Sequence, residues 1–350
     1  MSGFFSAAPA KPVGLVLQGG GALGAYEWGA VNRLIEAGYR PVAVTGVSIG
    51  AINAAAIAGA RGGDIRESLR RIWEAITLPT LPFVPELVQG MLSAFGNRNF
   101  YALRTDYLSL PGWTALCDLS PMRRTLEEIC DFAQINDRRQ MRFAVTATDV
   151  GTGSSVRFFN DGQQRICVDH VLASGALPPG FPMAKIDGRH YWDGGLFDNT
   201  PLRPLIELLT EEEIKTLPIV VIDLFPGSGE REPIPTNLFE VKHRMMELSF
   251  ENRFWEDYGD AGSYRAYAAM LEALNQEVPQ DSPLRANPEF VALLRRRCLK
   301  NLHVIPSMHL AMKDGLDFSA AGIRRRERLG WEAVDRHLAK DGFARAEAAT

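Results

Sequence analysis

Ser48 stands between glycines in Gly46-Val47-Ser48-Ile49-Gly50, directly after a short apolar run and directly before a run of small residues. A serine at such a strand-to-helix turn has its hydroxyl lifted clear of the sheet edge, where it can attack an ester carbonyl. The flanking backbone is strained and closely approached, which glycine tolerates best. Upstream lies a second glycine-rich stretch, Gly19-Gly20-Gly21-Ala22-Leu23-Gly24. Successive backbone N–H groups opening a helix suit a developing negative oxygen, with the helix dipole behind them. A third element, Asp193-Gly194-Gly195 after Tyr191-Trp192, puts a carboxylate on a sharp turn at a strand end, able to touch the serine directly. Nucleophile, oxyanion hole and base are the parts of acyl transfer.

Two alternatives compete with these readings. The glycine loop also satisfies G-x-G-x-x-G, the dinucleotide-binding fingerprint, which needs an acid about 20 residues on to hold the ribose. Here the second strand ends in Val44-Thr45-Gly46-Val47-Ser48, without an acid, so no nucleotide cofactor is expected. The base is less settled. Of the six histidines, only His170 and His190 fall near glycine- and proline-rich loops. A Ser–His–Asp triad through His190 competes with a Ser48–Asp193 dyad, and the residue types leave both open.

The elements that must position these groups follow from pattern. Residues 13–18 (VGLVLQ) are an apolar run ending in glycines, a buried parallel strand. Residues 24–37 have helical spacing closed by Gly38, residues 41–45 form a second strand, and residues 51–60 a helix of small side chains. A right-handed crossover makes the two strands parallel neighbours, about 4.8 Å apart, with their carboxyl ends on one edge. Ser48 then meets the N–H groups of Gly20 and Gly21. Further on, the pattern predicts an amphipathic helix over 62–76 and a proline- and aromatic-rich lid or cover over 77–120. A helix over 120–131 follows, capped by Ser120, then a hairpin of 142–148 with 155–159, and a short helix over 166–174. Residues 185–186 and 190–192 flank a turn at Asp187-Gly188, and 217–224 is another buried strand. The chain divides into a flexible N-terminus (1–12), a catalytic domain (13–230) and a helix-rich C-terminal extension (231–350) with one strand-like run at 302–305.

Composition narrows the class. A net charge of −4 gives no general argument for nucleic acid as partner. The four cysteines, Cys117, Cys130, Cys167 and Cys298, are scattered and read as reduced thiols; no His or Cys pair has metal-ligand spacing, so no metal is expected. No secretory leader and no window of 18 apolar residues is found, which predicts a cytoplasmic protein able to touch the inner membrane surface peripherally. Arg295–Arg297 and Arg324–Arg326 with Arg328 read as a solvated helix face, with binding of anionic headgroups as the alternative.

In order along the chain, GGGALG at 19–24, GVSIG at 46–50, ASGALPPGFP at 173–182 and Asp193-Gly194 resemble the patatin-like phospholipase family over residues 13 to about 225. The remainder, with SFENRFW at 249–255 and DFSAAGIRRR at 317–326, is similar to the C-terminal extension of a bacterial subgroup. The resemblance implies a three-layer α/β/α sandwich with a mostly parallel central sheet. It also implies a Ser48–Asp193 dyad without histidine, in which Asp193 is the general base. Gly19, Gly20, Gly21 and Ala22 would form the oxyanion hole, supported by Gly24, Gly46, Gly50 and Gly194. The substrate would be a lipid or another acyl ester, with no cofactor. Two other functions stay open: an acyltransferase or thioesterase passing the acyl group to a thiol or alcohol carrier, and a non-catalytic lipid-binding protein. One departure stands out. Many members carry Arg or Lys where this chain has Leu23, which weakens the case for a phospholipid headgroup and leaves the backbone donors intact.

Overall fold

Val13, Leu15 and Leu17 alternate with Gly14 and Val16 in β1 (Lys11–Leu17), so one apolar row faces each side of a sheet. Both sides are covered, as such a strand requires. The computed structural model describes residues 10–80, 83–84, 88, 96–106, 109, 112–225, 234–238, 240–241, 244–245, 248, 261–307, 310, 312–340 and 343. After β1 come α1 (Gly24–Glu36), β2 (Tyr39–Gly46), α2 (Ile49–Ala58) and α3 (Ile65–Ile76). A small ladder of β3 (Ala102–Leu103) and β4 (Cys117–Asp118) precedes α4 (Ser120–Ile129), α5 (Phe132–Ile135), β5 (Arg142–Asp149) and β6 (Ser154–Phe159). Then follow α6 (Val168–Ser174), β7 (Ala184–Ile186), β8 (Arg189–Asp193), α7 (Leu202–Leu208), α8 (Glu211–Thr216) and β9 (Ile219–Asp223). The chain closes with α9 (Ala261–Glu277), α10 (Pro288–Arg295), β10 (Leu302–Pro306) and α11 (Ala320–Lys340).

The main sheet has the order β10-β9-β1-β2-β5-β8-β7, with β6 also paired to β5. Strands β10, β9, β1, β2 and β5 are mutually parallel, whereas β6, β7 and β8 join antiparallel. Leu15 and Leu17 pack with side chains of α1, α2, α3 and α11 on one face; Val16 packs with Leu205 of α7, Ile214 of α8 and Tyr264 of α9 on the other. The result is the expected α/β/α sandwich with a mostly parallel sheet.

One irregularity of this sheet positions the site. Ala144 and Val145 of β5 pair with β2 on one edge and β6 on the other; Ala147 to Asp149 pair with β6 and β8. A strand has only two edges, so β2 and β8 share one edge of β5. They run toward each other along it. β2 stops at Gly46 opposite Val145, and β8 stops at Asp193 opposite Ala147.

The chain beyond residue 230 builds onto the same sheet. β10 lies parallel beside β9, and α11 crosses α1 so closely that a Cβ on Gly330 would strike the Tyr26 carbonyl. Two sequence expectations are corrected. Arg297 and Arg326 do not lie on a solvated face: they are 6% and 1% exposed, because Arg297 donates to the Leu294 carbonyl and Arg326 pairs with Asp317. Ser120 is the first residue of α4, not its cap; Asp118 Oδ1 takes both the Ser120 N–H and hydroxyl. Residues 1–9, residues 226–233 of the Pro/Gly/Glu stretch 226–235 where the domain boundary is expected, and the 249–255 motif lie outside the described residues.

Candidate active site

Beyond Gly46 the chain turns sharply. Val47 N–H donates to the Leu17 carbonyl, and Ser48 takes φ 55°, ψ −124° as the residue capping α2. For a non-glycine residue this backbone is costly and survives only where its surroundings fix it. A Cβ on Gly46 would strike the Gly50 carbonyl, and one on Gly50 would stand 2.5 Å from the Gln18 carbonyl oxygen, so both glycines are required by close approach. The Ser48 N–H is held by the Ser174 carbonyl at 3.0 Å and by its Oγ at 3.1 Å.

Asp193 enters the site from the opposing strand end. Its N–H donates to the Ala176 carbonyl at 3.0 Å, so residues 174–176 fasten both Ser48 and Asp193. Its Oδ1 accepts the Gly195 N–H at 2.8 Å. Gly194 lies against the Thr146 carbonyl, too close for any side chain. The carboxyl is fully buried, and burial pushes its pKa up to about 7; the neighbouring Ser48 side chain and the Gly195 N–H pull it back toward the carboxylate. Among the described residues, Oδ2 has no partner at full hydrogen-bond geometry.

Gly19, expected among the oxyanion donors, is committed elsewhere: its N–H donates to Asn199 Oδ1 at 3.1 Å, and Asn199 Nδ2 returns a bond to its carbonyl at 3.3 Å. Gly20 and Gly21 are half-buried and Ala22 is buried. Among the described residues, the N–H groups of these three find no acceptor, as at any helix start. Gly24 opens α1 and packs on Ile49. Gln18, just before the loop, donates to Thr200 Oγ1 and accepts the Leu224 N–H, both at 2.7 Å. Gly21 has φ 58°, and the Gly315 carbonyl fills the place of its missing Cβ. Asn199, Thr200 and Gly315 were missed in the sequence. The one signal was Asn199-Thr200 shortly after the Asp-Gly-Gly turn; Gly315 had none.

The histidines stand apart. His170 Nδ1 accepts the Cys167 N–H at 3.0 Å, its ring stacks edgewise on Phe158, and His190 is exposed on β8. Neither bonds Ser48 or Asp193 among the described residues. Leu23 is fully buried beside Gly20 and Gly315. Leu196 and Phe197, just after the Asp193 turn, and Leu316, next to Gly315, are exposed. Among the described residues, no helix is long and apolar enough to cross a membrane.

A family model described as patatin-like phospholipase matches residues 15–206. Patatin-like phospholipase domain-containing protein 6 of Mus musculus and of Homo sapiens is 30% identical over 190 residues, which is 54% of this chain and 12% of those proteins. The chain thus matches only a small part of these relatives. Among solved structures, VipD from Legionella pneumophila aligns over 95% of this chain and 67% of its own, at 16% identity and TM-score 0.44. ExoU of Pseudomonas aeruginosa, in complex with SpcU, aligns over 95% of this chain and 71% of its own, at 16% identity and TM-score 0.30.

Proposed function

Since the chain belongs to the patatin-like phospholipase family, we propose that it is a serine acyl hydrolase cleaving lipid or other acyl esters through a Ser48–Asp193 dyad. The observation that carries this reading is the meeting of two strand ends on one edge of β5, with the Ser48 side chain beside the buried Asp193 carboxyl.

Asp193 Oδ1 is occupied by the Gly195 N–H, which leaves Oδ2 as the base. As Ser48 Oγ bonds to the acyl carbon, its proton passes to Asp193 and the carbonyl electrons move onto oxygen. The Gly20 and Gly21 N–H groups, with Ala22 behind them, hold that oxyanion; the first turn of α2 adds its dipole at Ser48. Collapse expels the alcohol, which takes the proton back from Asp193 and leaves an acyl-enzyme. Water, deprotonated by Asp193, then attacks the acyl carbon; collapse releases the acid and returns the proton to Ser48. Gly19, Gly24, Gly46, Gly50 and Gly194 shape this site without touching the reacting atoms. Leu196 and Phe197 on the base side and Leu316 on the loop side offer an apolar landing for the acyl chain.

The test is fluorophosphonate labelling and ester hydrolysis by wild type and Ser48→Ala. Loss of labelling and at least about a thousandfold loss of turnover is expected; retention of either ends the reading. His190→Ala and His170→Ala are expected to keep turnover, and a loss matching the serine variant replaces the dyad with a triad.

A further inference from the structure

Glu27 is fully buried in the first turn of α1, beneath the glycine loop, and no Lys or Arg pairs with it among the described residues. Its Oε1 accepts the Gln18 N–H at 2.6 Å, and its Oε2 accepts from Asn53 Nδ2 at 2.8 Å. The same Nδ2 donates to the Gly24 carbonyl at 3.0 Å, and Asn53 Oδ1 accepts the Trp73 Nε1–H at 2.9 Å. The direction of this chain of bonds is forced. An indole N–H and a backbone N–H can only donate, and Asn53 supplies one acceptor and one NH2 group. Residue 27 therefore has to accept at both oxygens, which a carboxylate does and an amide cannot.

Burying that carboxyl is expensive: burial pushes its pKa up to about 8 although both donors and the helix start favour the ionised form. The two-donor grip is therefore complete only above that pH, where its contribution is to be measured. What it holds explains its presence. The pairing of β1 with β2 ends at Leu17, opposite Gly46, so the Gln18 N–H is the first beyond the ladder and the last before the glycine loop. Resting on the serine-hydrolase reading, we infer that Glu27 is a positioning residue: by gripping the Gln18 N–H it fixes the angle at which the loop leaves the sheet, and with it where the Gly20 and Gly21 N–H groups point. Asn199 grips the next residue, Gly19, from the other side. Two successive residues are pinned before the free donors begin, and placement errors near 1 Å at such donors cost about a hundredfold in rate.

The test compares Glu27→Gln with wild type, using a p-nitrophenyl ester, an arylboronic acid as mimic of the tetrahedral oxyanion, and fluorophosphonate titration to count working sites. Per labelled site, kcat is expected to fall about ten- to a hundredfold with KM within about twofold, and boronate affinity to fall by the same factor. A purely structural Glu27 lowers the melting temperature or the number of sites and leaves kcat per site unchanged; that result overturns the inference. If Glu27→Gln does not fold, Glu27→Asp carries the test under the same criterion, its carboxylate being one methylene short of both donors. Wild type that shows no Ser48-dependent labelling overturns the hydrolase reading and this inference together, whereas labelled wild type with an unaltered variant overturns only the role of Glu27.

Discussion

A methyl group on Gly19 would stand 2.9 Å from the Ser48 Cβ and 2.5 Å from Asn199 Oδ1. The glycine loop thus touches Ser48 with nothing between them. Gly19→Ala is expected to push the loop off both neighbours and lower turnover about a hundredfold. Asn199 Oδ1 ends a side chain that can turn, whereas the Ser48 Cβ moves only with its backbone, so the loop gives way and the melting temperature falls with turnover. Steady-state kinetics with a melting curve reads both, and a variant with wild-type turnover refutes the contact.

Asn199→Ala removes the acceptor of the Gly19 N–H and the donor to its carbonyl together. A buried N–H left without a partner costs about 1–3 kcal/mol. Turnover is expected to fall about ten- to a hundredfold, with a smaller effect on KM, since the loop donors matter most in the transition state. Denaturant unfolding and kinetics measured on the same preparation separate the two effects.

On the proposed dyad, the pKa of Asp193, raised by burial to about 7, sets the pH dependence. A base works ionised, so kcat/KM is expected to rise with pH through about 7 and level off above it. Stability runs the other way. The folded carboxyl holds its proton to higher pH than the unfolded one, so folding loses stability as pH rises from the unfolded value toward the folded one. Asp193→Asn, neutral throughout, should therefore be more stable than wild type at pH 8, and that advantage should shrink toward pH 5. Melting curves at the two pH values decide it; an advantage that grows toward low pH has the wrong sign.

A chain ended at residue 230 is expected not to fold into a working enzyme. It lacks β10, so the wholly buried β9 becomes an open edge, and it lacks α11, so the Tyr26 face of α1 is laid bare. It also loses Gly315, whose carbonyl rests on Gly21. Circular dichroism and labelling of the fragment test this, and a soluble, labelled fragment contradicts it.

The parts of this protein that depend on neighbouring residues were legible in its sequence. Strand, elbow and helix around Ser48 follow from local periodicity and from glycines at positions where no Cβ fits, as does the loop after β1. The hairpin turn at Asp187-Gly188 and the buried run at β9 were readable for the same reason. Tertiary structure decided the rest. Gly19 and Asn199 are 180 residues apart, and their bond exists only because the turn after β8 folds back over the end of β1. The arrival of Asp193, and not His190, beside Ser48 depends on β8 running antiparallel into an edge of β5 that β2 leaves vacant. The burial of Arg326, Leu23 and Glu27 depends on which helix covers which face. Side-chain type and spacing singled out Ser48 and the glycine loop because those constraints act within one turn of chain; strand order chose their neighbours because it acts across the whole sheet.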